Sequence, residues 1–126
     1  MVFDICTPLL GFENLKQVNL EKIDDIFMKM QSTEDEHISF TLIDPFVLKE
    51  YDFEVPTQVQ ELLEIKDDSN VLVLNIVLIQ TPINDSIVNF IGPILFNTDT
   101  NKAAQIILAE STHYGVAEKI STFLNK

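Results

Sequence analysis

Two apolar runs lying close together, Val71–Ile79 and Ile87–Phe96, constrain what this chain can become more than any other feature. The first is dense in β-branched residues and interrupted only by Asn75; the second contains Asn89, Gly92 and Pro93. β-Branching favours extended backbone, and Pro93 together with the Val and Ile enrichment argues against a buried helix. Both runs read as strands. Their continuous apolarity predicts burial on both faces, and Thr81-Pro82-Ile83-Asn84-Asp85-Ser86 between them has the composition of a connection joining antiparallel neighbours. The expectation is a central hairpin. Asn75 and Asn89 lie inside it, where a buried amide finds partners or costs roughly 1–3 kcal/mol. They either bond neighbouring backbone at bulges or line a partner groove.

The rest of the chain reads as short strands around this hairpin. Val2–Cys6 is a strand candidate and Gly11 supplies a turn. Val18-Asn19-Leu20 and Ile26–Met30 follow as meander strands. Polar Gln31–His37 is a solvated hairpin loop, and Ile38–Ile43 is a strand stopped by Asp44-Pro45-Phe46. Val47–Val55 alternates as an extended segment, with Tyr51 and Phe53 on one side and Asp52 and Glu54 on the other. Thr57 as N-cap with Gln60 three residues on predicts a short helix that docks Val59, Leu62 and Leu63 and ends near Asp67–Asn70. Beyond the hairpin, Asn97–Asn101 is a turn and Ala103–Leu108 a strand pairing back. From Ser111 the period changes, and Val116, Ile120, Phe123 and Leu124 share one face of a terminal amphipathic helix over about 113–125, which either caps the sheet or is an appendage.

The chain of 126 residues suits a single domain, large enough to bury roughly two-thirds of its unfolded surface. Its charge is the more informative total: 20 acidic residues face 8 basic ones, and every basic residue is Lys. A nucleic-acid binder needs a cationic footprint in which Arg is the usual reader, so direct nucleic-acid binding is not expected, and anionic membranes are disfavoured for the same reason. The acidity is uneven, with 13 acids against 4 Lys in residues 1–63 and 7 against 4 in 64–126. Such a surface either keeps the protein soluble or steers a basic protein partner. A single cysteine, Cys6, rules out an internal disulfide and fits a reducing cytoplasm. The start, MVFDICTPLLGF, lacks the basic opening of a signal peptide, and no apolar run reaches the ~18 residues of a membrane span.

Catalytic chemistry finds no foothold. No G-x-S-x-G elbow occurs, Gly11, Gly92 and Gly115 are too scattered to cradle phosphate, and Cys6 sits in an apolar strand without an activating group. The acids Glu34-Asp35-Glu36 beside His37 point in different directions and lack a second ligand cluster. Asn97–Asn101 begins like a calcium loop but has Lys102 where glycine is needed and Leu108 where a bidentate Glu is needed.

The ordered set of segments resembles the FliW family of flagellar assembly factors. The resemblance is carried by Leu10-Gly11-Phe12, by Ile43-Asp44-Pro45-Phe46 with Tyr51–Pro56, by Glu61–Ile65, by Val73–Val77, by Ser86–Phe90, and by Gly92-Pro93-Ile94 through Asn97. The family usually has Asn in place of Asp44 and Ala in place of Gly92, the Gln80-Thr81-Pro82 stretch departs from its usual strand end, and nothing beyond about Ser111 matches. The resemblance implies a mainly β fold, a small antiparallel β-barrel-like domain with one short middle helix and a C-terminal helix. It also implies a cytoplasmic protein without catalytic activity, cofactor or metal, monomeric when free, that binds the translational regulator CsrA and flagellin. Flagellin and the CsrA-like regulator would compete for it, so that its release from flagellin relieves repression of flagellin translation. Asp44, Phe46, Tyr51, Phe53, Asn75 and Asn89 are the residues expected near binding surfaces, with core packing as the competing role of the aromatics. The alternatives from other classes are a β-barrel holding a small apolar ligand and a metal-dependent enzyme built on the acidic loops.

Overall fold

Strand β5 (Val71–Leu78) is the first of the two apolar runs, and both of its edges are paired. The structure is a computed structural model that describes residues 1–108, 115 and 117–124. Strands β1 (Val2–Ile5), β2 (Gln17–Lys22), β3 (Phe27–Ser32) and β4 (Ser39–Ile43) form an antiparallel meander that reaches β5, with Leu42 opposite Ile76. On its other edge β5 pairs with the second run, which is split into β6 (Ile87–Val88) and β7 (Ile94–Asn97). Strand β8 (Lys102–Gln105) hairpins back on β7 and then lies parallel to β1, Asp4 opposite Lys102, which closes a seven-stranded barrel. Strand β9 (Glu118–Lys119) extends β6 outside the ring.

The period of two along these strands explains why the two runs carry so little polarity. Leu74, Ile94, Phe96 and Ala103 face the barrel interior with Phe3, Val18, Met30 and Leu42, while Val77, Val88, Leu95 and Ala104 face outward into a second core with Ile43, Tyr51, Leu63 and Phe90. The covering layer is the crossover 44–70. The barrel interior is filled: Phe3 and Phe96, both fully buried, meet edge to face with centroids 5.0 Å apart. Gly11 takes a left-handed φ of 85° in the turn expected there.

Helix α1 (Thr57–Leu62) sits where it was expected but starts and stops differently. Pro56, not Thr57, occupies the N-cap position and makes no side-chain cap bond, so the capping box does not form; the Gln60 Nε2 instead donates to the Val55 carbonyl at 2.8 Å. The helix ends at Leu62 and not near Asp67. The Leu63 carbonyl accepts from Asn97 Nδ2 at 2.8 Å and Thr100 Oγ1 at 3.0 Å, and Glu64 adopts a left-handed φ of 56°. A turn distant in sequence therefore terminates it. Leu62, expected on the docking face, is exposed, whereas Leu63 is fully buried.

Four other expectations shift. The second run is not one strand, because Asn89–Pro93 leave the ladder. The segment read as extended from Val47 begins with a 3-10 turn, Pro45–Val47, although Tyr51 and Phe53 do point inward and Asp52 and Glu54 outward further on. The strand Ala103–Leu108 stops at Gln105, though Ile106 and Leu108 still donate to the Pro93 and Ile91 carbonyls. In the tail, Glu118–Lys119 are strand and helix α2 covers Ser121–Leu124. Ile120 is buried in the outer core, and the remainder of the helix expected over about 113–125, with Val116, lies outside the described residues apart from Gly115 and Ala117.

Two outcomes follow for stability. Phe96→Ala empties the middle of the barrel and should cost about 3–5 kcal/mol, read as a lowered urea midpoint at unchanged slope. The carboxyls of Asp24 and Asp99 are held below their ordinary values by backbone amides, of Phe27 and Ile26 and of Asn70 respectively, and that of Glu64 by Lys102. A depressed folded value contributes stability above the ordinary carboxylate range, about pH 4, that is lost as pH falls through the folded value. Acid titration should therefore destabilise the protein below about pH 4, and Asp24→Asn should flatten that dependence.

Candidate partner-binding groove

The interruption in the second run organises the outer face. Between Val88, opposite Val77, and Ile94, opposite Leu74, the chain spends extra residues that β5 does not match, so backbone groups there need partners from elsewhere. Side chains supply them. Asn75 Nδ2, on the middle of β5, donates to the Asn89 carbonyl at 2.8 Å and to Tyr51 Oη at 3.2 Å. The Tyr51 hydroxyl in turn donates to the Phe90 carbonyl. Asn89 Oδ1 accepts from the Ile91 amide at 2.9 Å, closing an Asx turn. Asn75 is fully buried, and its Oδ1 is left without a partner.

Tyr51 joins this polar knot to an aromatic cluster. Its ring lies 5.2 Å from Phe53, 5.4 Å from Phe90 and 6.1 Å from Phe46, in tilted or edge-on contacts. Phe46 is placed by the 3-10 turn, where Asp44 Oδ1 caps the Phe46 amide at 2.9 Å. This gives Asp44 a physical role at the position where the family favours Asn, since either side chain offers the same accepting oxygen. Lys49 lies 5.1 Å above the Phe90 ring and 3.9 Å from Glu118, tying the crossover to the tail.

All six residues singled out in the sequence thus meet on one side of the barrel, but with unequal exposure. Tyr51 and Asn75 are buried, Asp44, Phe53 and Asn89 are intermediate, and Phe46 is 54% exposed. Beside them runs an open groove of about 440 Å³, with Phe46, Phe53, Val55 and Ile65 along the crossover and Val71 and Val73 on its β5 floor. Val71, Val73, Val55 and Ile65 were not singled out from sequence. Val71 and Val73 lie on the outward side of β5, where the crossover leaves them half-covered, and the continuous apolarity of the run hides that difference in the sequence.

Gly92, the other departure from the family pattern, has a local explanation. A Cβ there would lie 2.6 Å from Gln105 Nε2, and Gln105 spans from the Gly92 carbonyl, 3.1 Å, to the Leu10 amide, 3.1 Å. The glycine accommodates a glutamine strut between the bulge and the Leu10 turn. Elsewhere, Cys6 has its thiol raised above the ordinary value by burial, the opposite of an activated nucleophile. Among the described residues no three His, Cys, Asp or Glu side chains converge as a metal site, and no helix is long and apolar enough to cross a membrane.

The polar knot predicts a coupled loss. Tyr51→Phe removes the hydrogen bond to the Phe90 carbonyl and one Asn75 contact and should destabilise by about 1–3 kcal/mol, and Asn75→Ala by a similar amount. The double variant should cost less than the sum of the two in a denaturant cycle.

Comparison with known proteins bears directly on this arrangement. The family model for FliW protein matches residues 1–120. The flagellar assembly factor FliW of Sulfurimonas denitrificans is 68% identical over 126 residues, covering the whole of both chains. The flagellar assembly factor FliW 2 of Wolinella succinogenes is 46% identical over 127 residues, covering 99% of this chain and 93% of its own. A crystal structure of the flagellar assembly factor FliW superposes with a TM-score of 0.87 at 25% identity, over 94% of this chain and 84% of that one. With a family model spanning nearly its whole length and relatives alike from end to end, the chain belongs to the FliW family.

Proposed function

We propose that this protein is a cytoplasmic, non-enzymatic flagellar assembly factor that works by partner switching. It binds a CsrA-like translational regulator and flagellin, and flagellin occupancy decides how much of it is free to relieve repression of flagellin translation. The observation that carries the reading is its end-to-end likeness to proteins named as flagellar assembly factors. The groove and the charge are compatible with it. An open apolar channel beside an exposed phenylalanine suits the apolar face of an amphipathic flagellin helix. An arginine-free surface with 20 acids against 8 lysines would attract a basic RNA-binding dimer and repel its RNA. In this reading Phe46 and Phe53 touch the partner, while Asp44, Tyr51, Asn75 and Asn89 position them. The free protein is monomeric, and neither nucleic acid nor membrane is a direct partner.

The competing idea of a barrel that stores a small apolar ligand meets an interior already occupied by Phe3, Met30, Leu74, Ile94 and Phe96.

Two measurements test the proposal. Phe46→Ser, on an exposed turn, should keep the fold by circular dichroism and weaken flagellin binding about tenfold, as loss of an apolar anchor does; unchanged affinity would remove the groove from the flagellin interface. The association rate with the CsrA-like regulator should fall steeply between low and physiological salt, and a salt-independent rate would end the steering idea.

A further inference from the structure

A second apolar recess lies on the far side of the Pro45–Val47 turn from the groove. Phe46 lines the groove, whereas the next residue, Val47, turns into this recess with Ile26, Phe27, Ile43, Ile83 and Ile120. Its volume is about 210 Å³. Apolar cavities of roughly 150 Å³ take up a benzene, so one aliphatic or aromatic side chain fits here. Ile26, Val47 and Ile83 stay between 42% and 51% exposed, which leaves the mouth open and greasy.

Four carboxylates stand within two residues of the lining in sequence, and two of them are fixed in place by backbone amides. Asp24 Oδ1 accepts from the amides of both Ile26 and Phe27 at 2.8 Å, so its carboxylate is anchored on two of the lining residues. Asp44 is anchored at Phe46 in the same way, and Asp25 and Asp85 adjoin Ile26 and Asn84. Of the lysines nearby, Lys22 sits 3.6 Å from Asp25 in a solvated pair and Lys49 reaches Glu118. Surface pairs of this kind are weak, so these carboxylates stay available to a cation that a partner offers.

We infer that this recess is a docking site for a basic segment of a partner protein that inserts one apolar side chain between flanking lysines or arginines. The apolar floor selects the anchor, and the collar of Asp24, Asp25, Asp44 and Asp85 selects its neighbours. An acidic or neutral segment offers the collar nothing, and a basic segment without an anchor leaves the floor wet. The site is distinct from the groove and requires neither of the partners proposed above. Because Phe46 and Val47 belong to one turn, the two sites share a wall.

The four isoleucines make the recess directly readable. In protein labelled at isoleucine δ1 methyls, a blocked peptide with one leucine between two pairs of lysines should shift Ile26, Ile43, Ile83 and Ile120 saturably. The same peptide with alanine for leucine should bind at least about fivefold more weakly, loss of an apolar anchor being worth that much or more. Raising salt to about 0.5 M should weaken the leucine peptide several-fold. Ile83→Ser, at an exposed position, should abolish the shifts of the other three while leaving the spectrum of the barrel methyls unchanged. Equal binding of the leucine and alanine peptides, equal binding of a peptide with glutamates for lysines, shifts confined to other isoleucines, or no shift at millimolar peptide would each overturn the assignment. So would concentration-dependent shifts of the same methyls without peptide, which would place a second copy of this chain in the recess.

Discussion

One side-chain amide holds the outer half of this protein together. Asn75 stands at the middle of the central strand, where its partner run departs from the ladder, and its two N–H groups reach the stray backbone at Asn89 and the hydroxyl of Tyr51. Without it the half-buried Asn89 carbonyl would lose this bond, and Tyr51 would lose the neighbour that orients its hydroxyl toward Phe90. From Tyr51 the constraint passes through ring contacts to Phe46, Phe53 and Phe90, and so to the walls of the groove. A polar residue in an apolar run is the reason the groove has a shape.

The same residue shows what was legible in the sequence. An asparagine amid valines and isoleucines points to a bulge or a partner groove, because a buried amide needs partners, and the second run supplies the matching irregularity in Asn89, Gly92 and Pro93. The strands were legible through β-branching and turn residues, and the crossover through the alternation of Tyr51, Asp52, Phe53 and Glu54. The boundaries were not. Helix α1 stops because Asn97 and Thr100 take the Leu63 carbonyl, and no local pattern encodes a partner more than thirty residues away. The tail misled for a related reason. Ile120 has the spacing of a helical face, but Ser86 accepts its amide and Ile87 and Val88 pair with the two residues before it, so edge pairing overrides helical period.

Charge and shape divide the surface between them. The acids are mostly in turns and at strand ends, where several cap backbone amides as well as face solvent: Asp24, Asp44 and Asp99 each hold a turn in place. The negative field is thus built into the loops at fixed positions, next to the apolar recesses those loops enclose. A basic partner of the kind proposed would meet oriented carboxylates instead of a diffuse cloud, which would tie long-range attraction to a definite landing point. The Pro45–Val47 turn, with Asp44 at its head, Phe46 on one flank and Val47 on the other, concentrates both properties in a few residues.

The ring is closed by the one parallel pairing among the barrel strands, between the first strand and the eighth, with Asp4 beside Lys102 and Ile5 beside Ala103. Every other neighbour along the meander can pair as soon as the next strand exists, but this seam joins residues from nearly opposite ends of the described chain. During synthesis the β1 edge therefore stays open until residues 102–105 have left the ribosome, and only then can Phe3 be sealed under Phe96. The order of assembly is written into the topology: a sheet first, a barrel last. The groove is lined by residues no later than Leu95, so all of its walls are synthesised before the seam that closes the barrel behind them.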